Sequence, residues 1–581
     1  AFLCQNAPML LFVSAVVGFT GFTQPSGLTT PESVREALPK LDAYVKSAME
    51  KTRVPGVAVV VVYRDEIVWL KGYGVREVGK DAAVSENTVF QLASMSKPIS
   101  ATVVASLVGK KVVSWDSKVS NLMPEFQMND PYPSREVTVR DFFCHRSGLP
   151  GDAGNDLEMT GIDQAEILRR LRYVPAASSF RSAYSYSNFG ITTGAVAAAK
   201  PTGLDWPSLA ERELFKPLGM ASTSYRYADL LKHDNRATLH ALEGGAWRAL
   251  ARREPDAQAP AGGASSTARD LAQWLRLELG GGIQGGKRWI DEAALSETHM
   301  PQIHRGADPI TGNASFYGLG WNVEYEPNGQ VRWGHAGAFS QGARTLVTLL
   351  PQEQLGIIVL CNAFPTGLPE AVSAQFIDDA QRSKKTTDWL ARWTALYDTF
   401  TKMMNAQAER YTKAPTSPLS SAPLSAYVGR YAGEYLGEVE VVERGGKLAV
   451  RYPVSGKEYV LRHFNRDVFV YAPYAESPNV DYGVTFTLDS NGKAATLQLE
   501  DHELPGTVPL KRVSNRSKRH NGLHARATDA QPGRDPRRDR SHRQRPRAIA
   551  QRKGVPGAGS RESQGPRSEA VLHSRARAGD L

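Results

Sequence analysis

Four residues, Ser94-Met95-Ser96-Lys97, place a hydroxyl and an amine three positions apart. On a helix, positions i and i+3 share a face. A desolvated lysine gives up its proton more readily, and the neutral amine can then activate a serine hydroxyl as a nucleophile. The same four residues also fit a helix cap followed by a surface lysine. A second group, Tyr184-Ser185-Tyr186-Ser187-Asn188, puts Tyr186 and Asn188 two apart, so an extended or turn segment can present both to one cleft. Tyr186 can shuttle the serine proton. Asn188, with both a donor and an acceptor, can orient the lysine and a substrate amide. The structural alternative is an aromatic loop packed on the core, with Asn188 capping the following helix. A third group, Trp333-Gly334-His335-Ala336-Gly337-Ala338, has glycines that let substrate approach a strand edge closely. The backbone amides of Ser94 and Ala338 make a candidate oxyanion hole for acyl transfer. His335, Ala336 and Gly337 are the candidate substrate contacts there. Taken alone, His335 reads at least as well as a satisfied histidine at a strand end.

These groups need elements to hold them. Residues 30–50 have an apolar face at Val34, Leu38, Leu41, Tyr44 and Val45 and predict a helix. VAVVVVYRDEIVWLKGYG then predicts a hairpin whose first strand is central in its sheet. A helix is expected over 94–109, starting close to Ser94, because Pro98 is tolerated within a first turn. Segment 135–280 reads as helices and loops, with EILRRLRYV, NFGITTGAVAAA, WPSLAERELFKPLG and TARDLAQWLRLEL as the helices. Residues 316–323, 330–337, 342–350 and 355–361 read as strands, and helical periodicity resumes over 368–410. The sheet is therefore expected to join distant parts of the chain. After a Pro/Ser linker at 415–425, short alternating runs with ERGGK and DSNGK turns predict a compact antiparallel β domain.

The chain has 581 residues, 22% charged and 41% hydrophobic, which fits several folded domains. Only Cys4, Cys144 and Cys361 are present, so no disulfide framework is expected. No Cys/His cluster suggests zinc, and Cys144 reads as a buried core thiol rather than a second nucleophile. The net charge of +10 is local. Residues 513–581 hold 17 Lys/Arg against 6 Asp/Glu, a balance of +11, and the other 512 residues balance to −1. That tail has no Phe, Trp or Tyr and reads as disordered, with no specific nucleic-acid partner expected. The apolar run Met9–Phe22 has the length of a signal-peptide core, although no basic segment precedes it. The expectation is an exported protein, periplasmic or secreted, with transient membrane association through this segment.

Taken together, SMSK, YSN and HAG, in this order and at these separations, resemble the serine β-lactamase and penicillin-binding-protein superfamily. The nearer branch is the class C-like one, with peptidase family S12, D-aminopeptidases, DD-carboxypeptidases and family VIII carboxylesterases. HRSGLP at 145–150, FKPLGMAST at 215–223 and YGLGW at 317–321 add to the resemblance, which covers roughly residues 30–370. It implies an α/β (α+β) fold, a mainly antiparallel sheet with a helical region. A small C-terminal β-barrel or sandwich and a disordered tail complete the expected chain. The expected divisions are a signal or hydrophobic segment at 1–27, a serine hydrolase domain at 28–380 and a helix and linker at 381–423. An accessory β domain follows at 424–512, with the basic tail at 513–581. The resemblance also implies that Ser94 attacks a carbonyl, that Lys97 and Tyr186 accept and return its proton, and that Asn188 positions Lys97 and substrate. Water then releases the acyl group, and no cofactor or metal is needed. The substrate is an ester, a β-lactam or a short D-amino-acid peptide. The alternative is a non-catalytic penicillin-binding-like sensor. One departure stands out: His335 replaces the lysine of the family pattern, and an imidazole is a weaker carboxylate anchor than an ammonium. This lowers the expectation of efficient β-lactam hydrolysis and suits an ester, a D-amino-acid amide or another small acyl substrate at least as well.

Overall fold

A computed structural model describes residues 29–514, apart from 250–252, 327–328, 385–386, 414, 474–479 and 505. The expected export segment and almost all of the basic tail lie outside the described residues. Helix α1 (Pro31–Thr52) starts in a capping box between Thr30 and Ser33 and buries Val34, Ala37, Leu41, Val45 and Ala48. Strands β1 (Gly56–Tyr63) and β2 (Glu66–Gly74) form the expected hairpin. Arg64 and Asp65 carry φ of 49° and 63°, as a tight two-residue hairpin turn demands. Every residue of β1 is buried.

Helices α2 (Ser96–Gly109), α3 (Asn155–Thr160), α4 (Asn188–Ala199), α5 (Ala259–Gly262) and α6 (Ala268–Leu279) follow, with further short helices and turns between them, among them the helix Gln164–Arg170 after α3. Then come β3 (Ile303–Ala307), β4 (Ala314–Tyr317), β5 (Asn322–Tyr325), β6 (Val331–Phe339), β7 (Ala343–Leu350) and β8 (Leu355–Cys361), and helices α7 (Leu368–Ala380) and α8 (Trp389–Glu409). The eight-stranded sheet runs β2-β1-β8-β7-β6-β5-β4-β3, antiparallel throughout. β1 pairs with β8 from Val57↔Cys361 to Tyr63↔Leu355, so the two ends of this region close the sheet. Alternation along β1 feeds two cores. Val57, Val59 and Val61 pack with α1 and α7, whereas Ala58, Val60 and Val62 pack toward α2 and α6.

Two expectations are corrected. Residues 316–323 are not one strand: Gly318–Trp321 form a turn between β4 and β5. Gly320 has φ 80°, and a Cβ there would lie 2.8 Å from the Lys97 carbonyl, so this turn must press against the first turn of α2. The helix over 206–219 stops at Phe215, and its last stretch, Glu211–Phe215, is a π-turn. An unforeseen hairpin, His240–Glu243 with Ala246–Ala249, lies between the helices.

The C-terminal region is a nine-stranded antiparallel sheet from Gly429–Gly433 to Leu510–Val513. Its two end strands, Glu458–Val460 and Arg462–Asn465, are neighbours in sequence, so the sheet curls into a near-closed barrel. Tyr427, Tyr431, Phe469 and Phe486 pack within it. Among the described residues, no helix is long and apolar enough to cross a membrane.

A buried ion pair ties α7 to the sheet. Arg344 on β7 donates through Nε to Glu370 Oε1 at 2.7 Å, with side chains only 2% and 5% exposed. Removing one partner strands the other charge in the interior. Glu370→Ala is expected to cost about 3–5 kcal/mol, read as a lower urea midpoint. The double variant Arg344→Met/Glu370→Leu should recover most of that loss.

Candidate active site

The chain between β2 and α2 reaches Ser94 through a short 3-10 turn, Ala93–Met95, and α2 begins only at Ser96. The expected helix start is thus two residues later, and Ser94 stands on the turn before it. Ala93 is fully buried with φ 48°, a conformation that residues with a Cβ rarely adopt. Leu239, Phe339 and Ala343 pack around it and hold the bend. Lys97 then falls in the first turn of α2, where its side chain is completely buried.

The Lys97 amine lies 2.9 Å from Ser94 Oγ, 2.7 Å from Asn188 Oδ1 and 3.0 Å from the Ala261 carbonyl oxygen. Burial pushes its pKa far below the ordinary lysine value. A neutral amine has two hydrogens and one lone pair. Asn188 Oδ1 and the Ala261 carbonyl can only accept, so they take both hydrogens. The lone pair is left facing the Ser94 hydroxyl. On the other side, Tyr186 donates to Ser94 Oγ at 2.8 Å, and its ring lies 4.5 Å from the Lys97 nitrogen. Two distant motifs therefore meet here: Lys97 and Tyr186 share the Ser94 oxygen, and Asn188 joins them through the Lys97 amine.

Ser187, not Asn188, caps α4, accepting from the Gly190 amide. That leaves the Asn188 side chain free of capping duty. Its Nδ2 donates to Asn155 Oδ1 at 3.3 Å, which fixes Oδ1 toward Lys97. Asn155 and Ala261 belong to the short helices α3 and α5, which carry no apolar periodicity and went unnoticed in the sequence.

Strand β6 brings the third motif. β5 pairs with residues 331–334 of β6, and β7 with residues 333–339. Beyond Gly334, β6 therefore borders a strand on one side only, among the described residues. Gly337 crosses the Ala93–Met95 turn so closely that a Cβ would sit 2.1 Å from the Leu92 carbonyl oxygen and 3.0 Å from the Met95 nitrogen. The Ala338 side chain packs on the other face, against the Phe364, Tyr397 and Phe400 cluster. Ala336 is half-buried.

His335 sits within the site but is 5% exposed. Its Nδ1 lies 2.7 Å from the Ala336 carbonyl oxygen and its Nε2 lies 2.9 Å from the Tyr317 hydroxyl. Nδ1 carries the proton, since a carbonyl can only accept, and Nε2 accepts from Tyr317. Burial holds the His335 pKa down at about 3. His335 is a neutral, internally bonded ring.

His145 and Tyr317 were visible only as parts of HRSGLP and YGLGW, without roles. His145 is buried, has φ 60°, and accepts the Ser187 amide on Nδ1 at 3.0 Å. Its ring centroid lies 4.6 Å from that of Tyr186 and 4.8 Å from that of Tyr317. It thus backs the tyrosine that touches Ser94. Cys144, beside it, is fully buried and burial raises its thiol to about 12, so it is no nucleophile. Among the described residues, no His/Cys/Asp/Glu group is arranged to hold a metal.

The close passage of β6 predicts the effect of one methyl group. Gly337→Ala must move the strand off the Ala93–Met95 turn. Acylation of Ser94 is expected to fall about 10²–10³-fold, the usual cost of losing an oxyanion donor. Near-normal acylation with a normal melting temperature would contradict this.

A family model described as Beta-lactamase matches residues 41–382, and one described as a Domain of unknown function (DUF3471) matches 413–508. Among curated relatives, Unguisins hydrolase ungD of Aspergillus violaceofuscus is 25% identical over 68% of this chain and 75% of its own length. Protein flp of Staphylococcus aureus is 22% identical over 57% of this chain and 64% of its own. Beta-lactamase-like protein 2 of Dictyostelium discoideum is 25% identical over 56% and 59%. The octameric penicillin-binding protein homologue from Pyrococcus abyssi shares the fold, with TM-score 0.52 and 18% identity over 80% of this chain and 98% of that one. With more than half of its residues inside the first match, and the Ser94, Lys97 and Tyr186 cluster lying within it, this chain belongs to the Beta-lactamase family.

Proposed function

We propose that this protein is a serine hydrolase that forms an acyl-enzyme on Ser94. The observation that carries the reading is the single oxygen shared by a buried lysine amine and a tyrosine hydroxyl. Ser94 Oγ forms a bond to the substrate carbonyl carbon while its proton passes to Lys97 Nζ. The tetrahedral oxyanion is held by the amides of Ser94 and Ala338. As the C–O or C–N bond to the leaving group breaks, the leaving atom takes a proton from the Lys97–Tyr186 pair. Water then attacks the acyl carbon, gives its proton to the same pair, and restores Ser94. No step calls on a cofactor.

The substrate class follows from charge. The position that carries a lysine in the family pattern is here His335, neutral and spent on Tyr317 and the Ala336 carbonyl. A substrate carboxylate finds no fixed cation on that side chain. This favours a carboxylic ester or an uncharged amide over a β-lactam as the best substrate. The stretch of β6 beyond Gly334, bordered by a strand on one side only among the described residues, suits an extended acyl chain laid along its other edge. The printed name of one relative, a hydrolase, is in keeping with this. A binding-only scaffold would have no need of a lysine held 2.9 Å from its serine.

The test is intact-mass analysis after exposure to a p-nitrophenyl ester, a fluorophosphonate, nitrocefin and a D-alanyl amide. Adducts or turnover that vanish in Ser94→Ala are expected, with the ester preferred. A well-folded wild type that gains no mass and turns nothing over would sink the proposal. The pH profile gives a second check. Neutral Lys97 is the base, so the rate should fall with decreasing pH through the depressed lysine pKa. His335, at about 3, should add no limb between about pH 5 and 9. A limb near 6.5 that His335→Gln removes would contradict this assignment.

A further inference from the structure

The two acceptors that aim the Lys97 amine have a common support. Asn188 is held by Asn155, the first residue of α3. Ala261 belongs to α5, which follows Gln258, and Gln258 donates to Glu158 of α3. Arg253, upstream on the same segment, donates to Glu158 as well, at 2.5 Å. Helix α3 has six residues, too short to be stable alone. What fixes it is the C-terminal barrel.

Asp156, between those two contacts, is 6% exposed and points away from the site. Its Oδ1 accepts from the hydroxyl of Tyr435 at 2.6 Å, and its Oδ2 from His502 Nδ1 at 3.0 Å. Both partners lie in the barrel region and are 7% exposed. The Tyr435 hydroxyl also accepts the Gly154 amide at 2.8 Å, just before α3 begins. His502 Nε2 lies 2.9 Å from Tyr452 Oη and 3.4 Å from Asp501 Oδ2, which locks the ring. At the far end of α3, Lys457 donates to the Met159 carbonyl at 2.8 Å. Arg170, on the helix after α3, donates to the Tyr435 and Leu436 carbonyls at 3.0 and 2.6 Å. A buried carboxylate spent entirely across a domain boundary is costly unless those partners stay in place.

We propose that the C-terminal barrel is a brace for the catalytic lysine: through Asp156, Tyr435 and His502 it fixes α3, and through α3 the two oxygens that orient the Lys97 amine. Asp156, Tyr435 and His502 are positioning residues. This rests on reading Ser94 and Lys97 as nucleophile and base. Loosening α3 frees Asn188 and Ala261 to drift, and water reaches Lys97. The amine then points less often at Ser94 and regains part of its ordinary basicity.

The experiment measures the labelling rate of Ser94 by a fluorophosphonate against pH, in the full chain, with melting temperatures alongside. In this reaction the Ser94 Oγ–P bond forms as P–F breaks, fluoride leaves, and the hydroxyl proton passes to Lys97. Three variants are compared with wild type. Tyr435→Phe removes one hydroxyl, and Asp156→Ala removes the shared acceptor. Tyr427→Phe removes a buried barrel hydroxyl that donates to Asp467 and accepts the Ala422 amide, contacts outside α3 and outside the Glu500–His502 turn, as control. Tyr435→Phe and Asp156→Ala are expected to slow labelling about tenfold or more and to move the acid limb to higher pH, with Tyr427→Phe unchanged. Wild-type rates and limb in both Tyr435→Phe and Asp156→Ala overturn the brace. So do losses that track melting temperature equally in all three variants with no shift of the limb. A wild type that is not labelled at all instead overturns the hydrolase reading on which the brace rests.

Discussion

An amine sealed from water, with no carboxylate beside it, is the condition to which the rest of this molecule answers. Burying a charged ammonium without a counter-ion costs several kcal/mol, so Lys97 gives up its proton instead. A neutral amine is useful only if its lone pair is aimed. Two oxygens that cannot donate, one from a side chain on α4 and one from the backbone of α5, provide the aim. The bend at Ala93 and the bare strand at Gly337 then bring the serine hydroxyl and the strand edge to the same point. Close packing and a few directed hydrogen bonds hold this arrangement.

Much of this was legible in the sequence because it is local. The β1–β2 hairpin and the β7–β8 pair follow from valine- and leucine-rich runs split by polar turns. Ser94 and Lys97 are three apart, and Tyr186 and Asn188 two apart, so each pair declares itself. The residues that went unseen act only through tertiary placement. Asn155 and Ala261 sit on helices of six and four residues, too short to carry a periodicity. Ser187 and Asn188 are both good caps by residue type; Ser187 takes that role, and Asn188 is left to accept from Lys97. The run 316–323 looks like one strand, yet Gly320 must touch the backbone of Lys97, and that contact outweighs strand propensity.

The catalytic region and the barrel share one hydrophobic core, which runs from Ala58 to Leu510 without a break. The join is more polar than that continuity suggests. Its centre is an imidazole between the carboxylates of Asp156 and Asp501, with the phenols of Tyr435 and Tyr452 beside them, their side chains all buried. Such a cluster constrains the relative placement of its parts, because its hydrogen bonds are short and directional. The domain boundary is thereby as specific as the active site it lies behind.

The closure of the sheet by β1 and β8 also has a consequence for synthesis. β1 is a run of valines with no exposed residue, and its partner on one side is made only when the chain reaches Leu355–Cys361. Until then the growing polypeptide carries an uncovered, strongly apolar strand edge, the kind of surface that templates aggregation. The nucleophile turn is likewise without β6 over that interval. Ribosome-bound chains that end before Leu355 therefore present the edge of β1 that β8 later covers. The Val57–Val62 run that becomes the most protected part of the finished molecule is the segment that most needs a chaperone while the protein is being made.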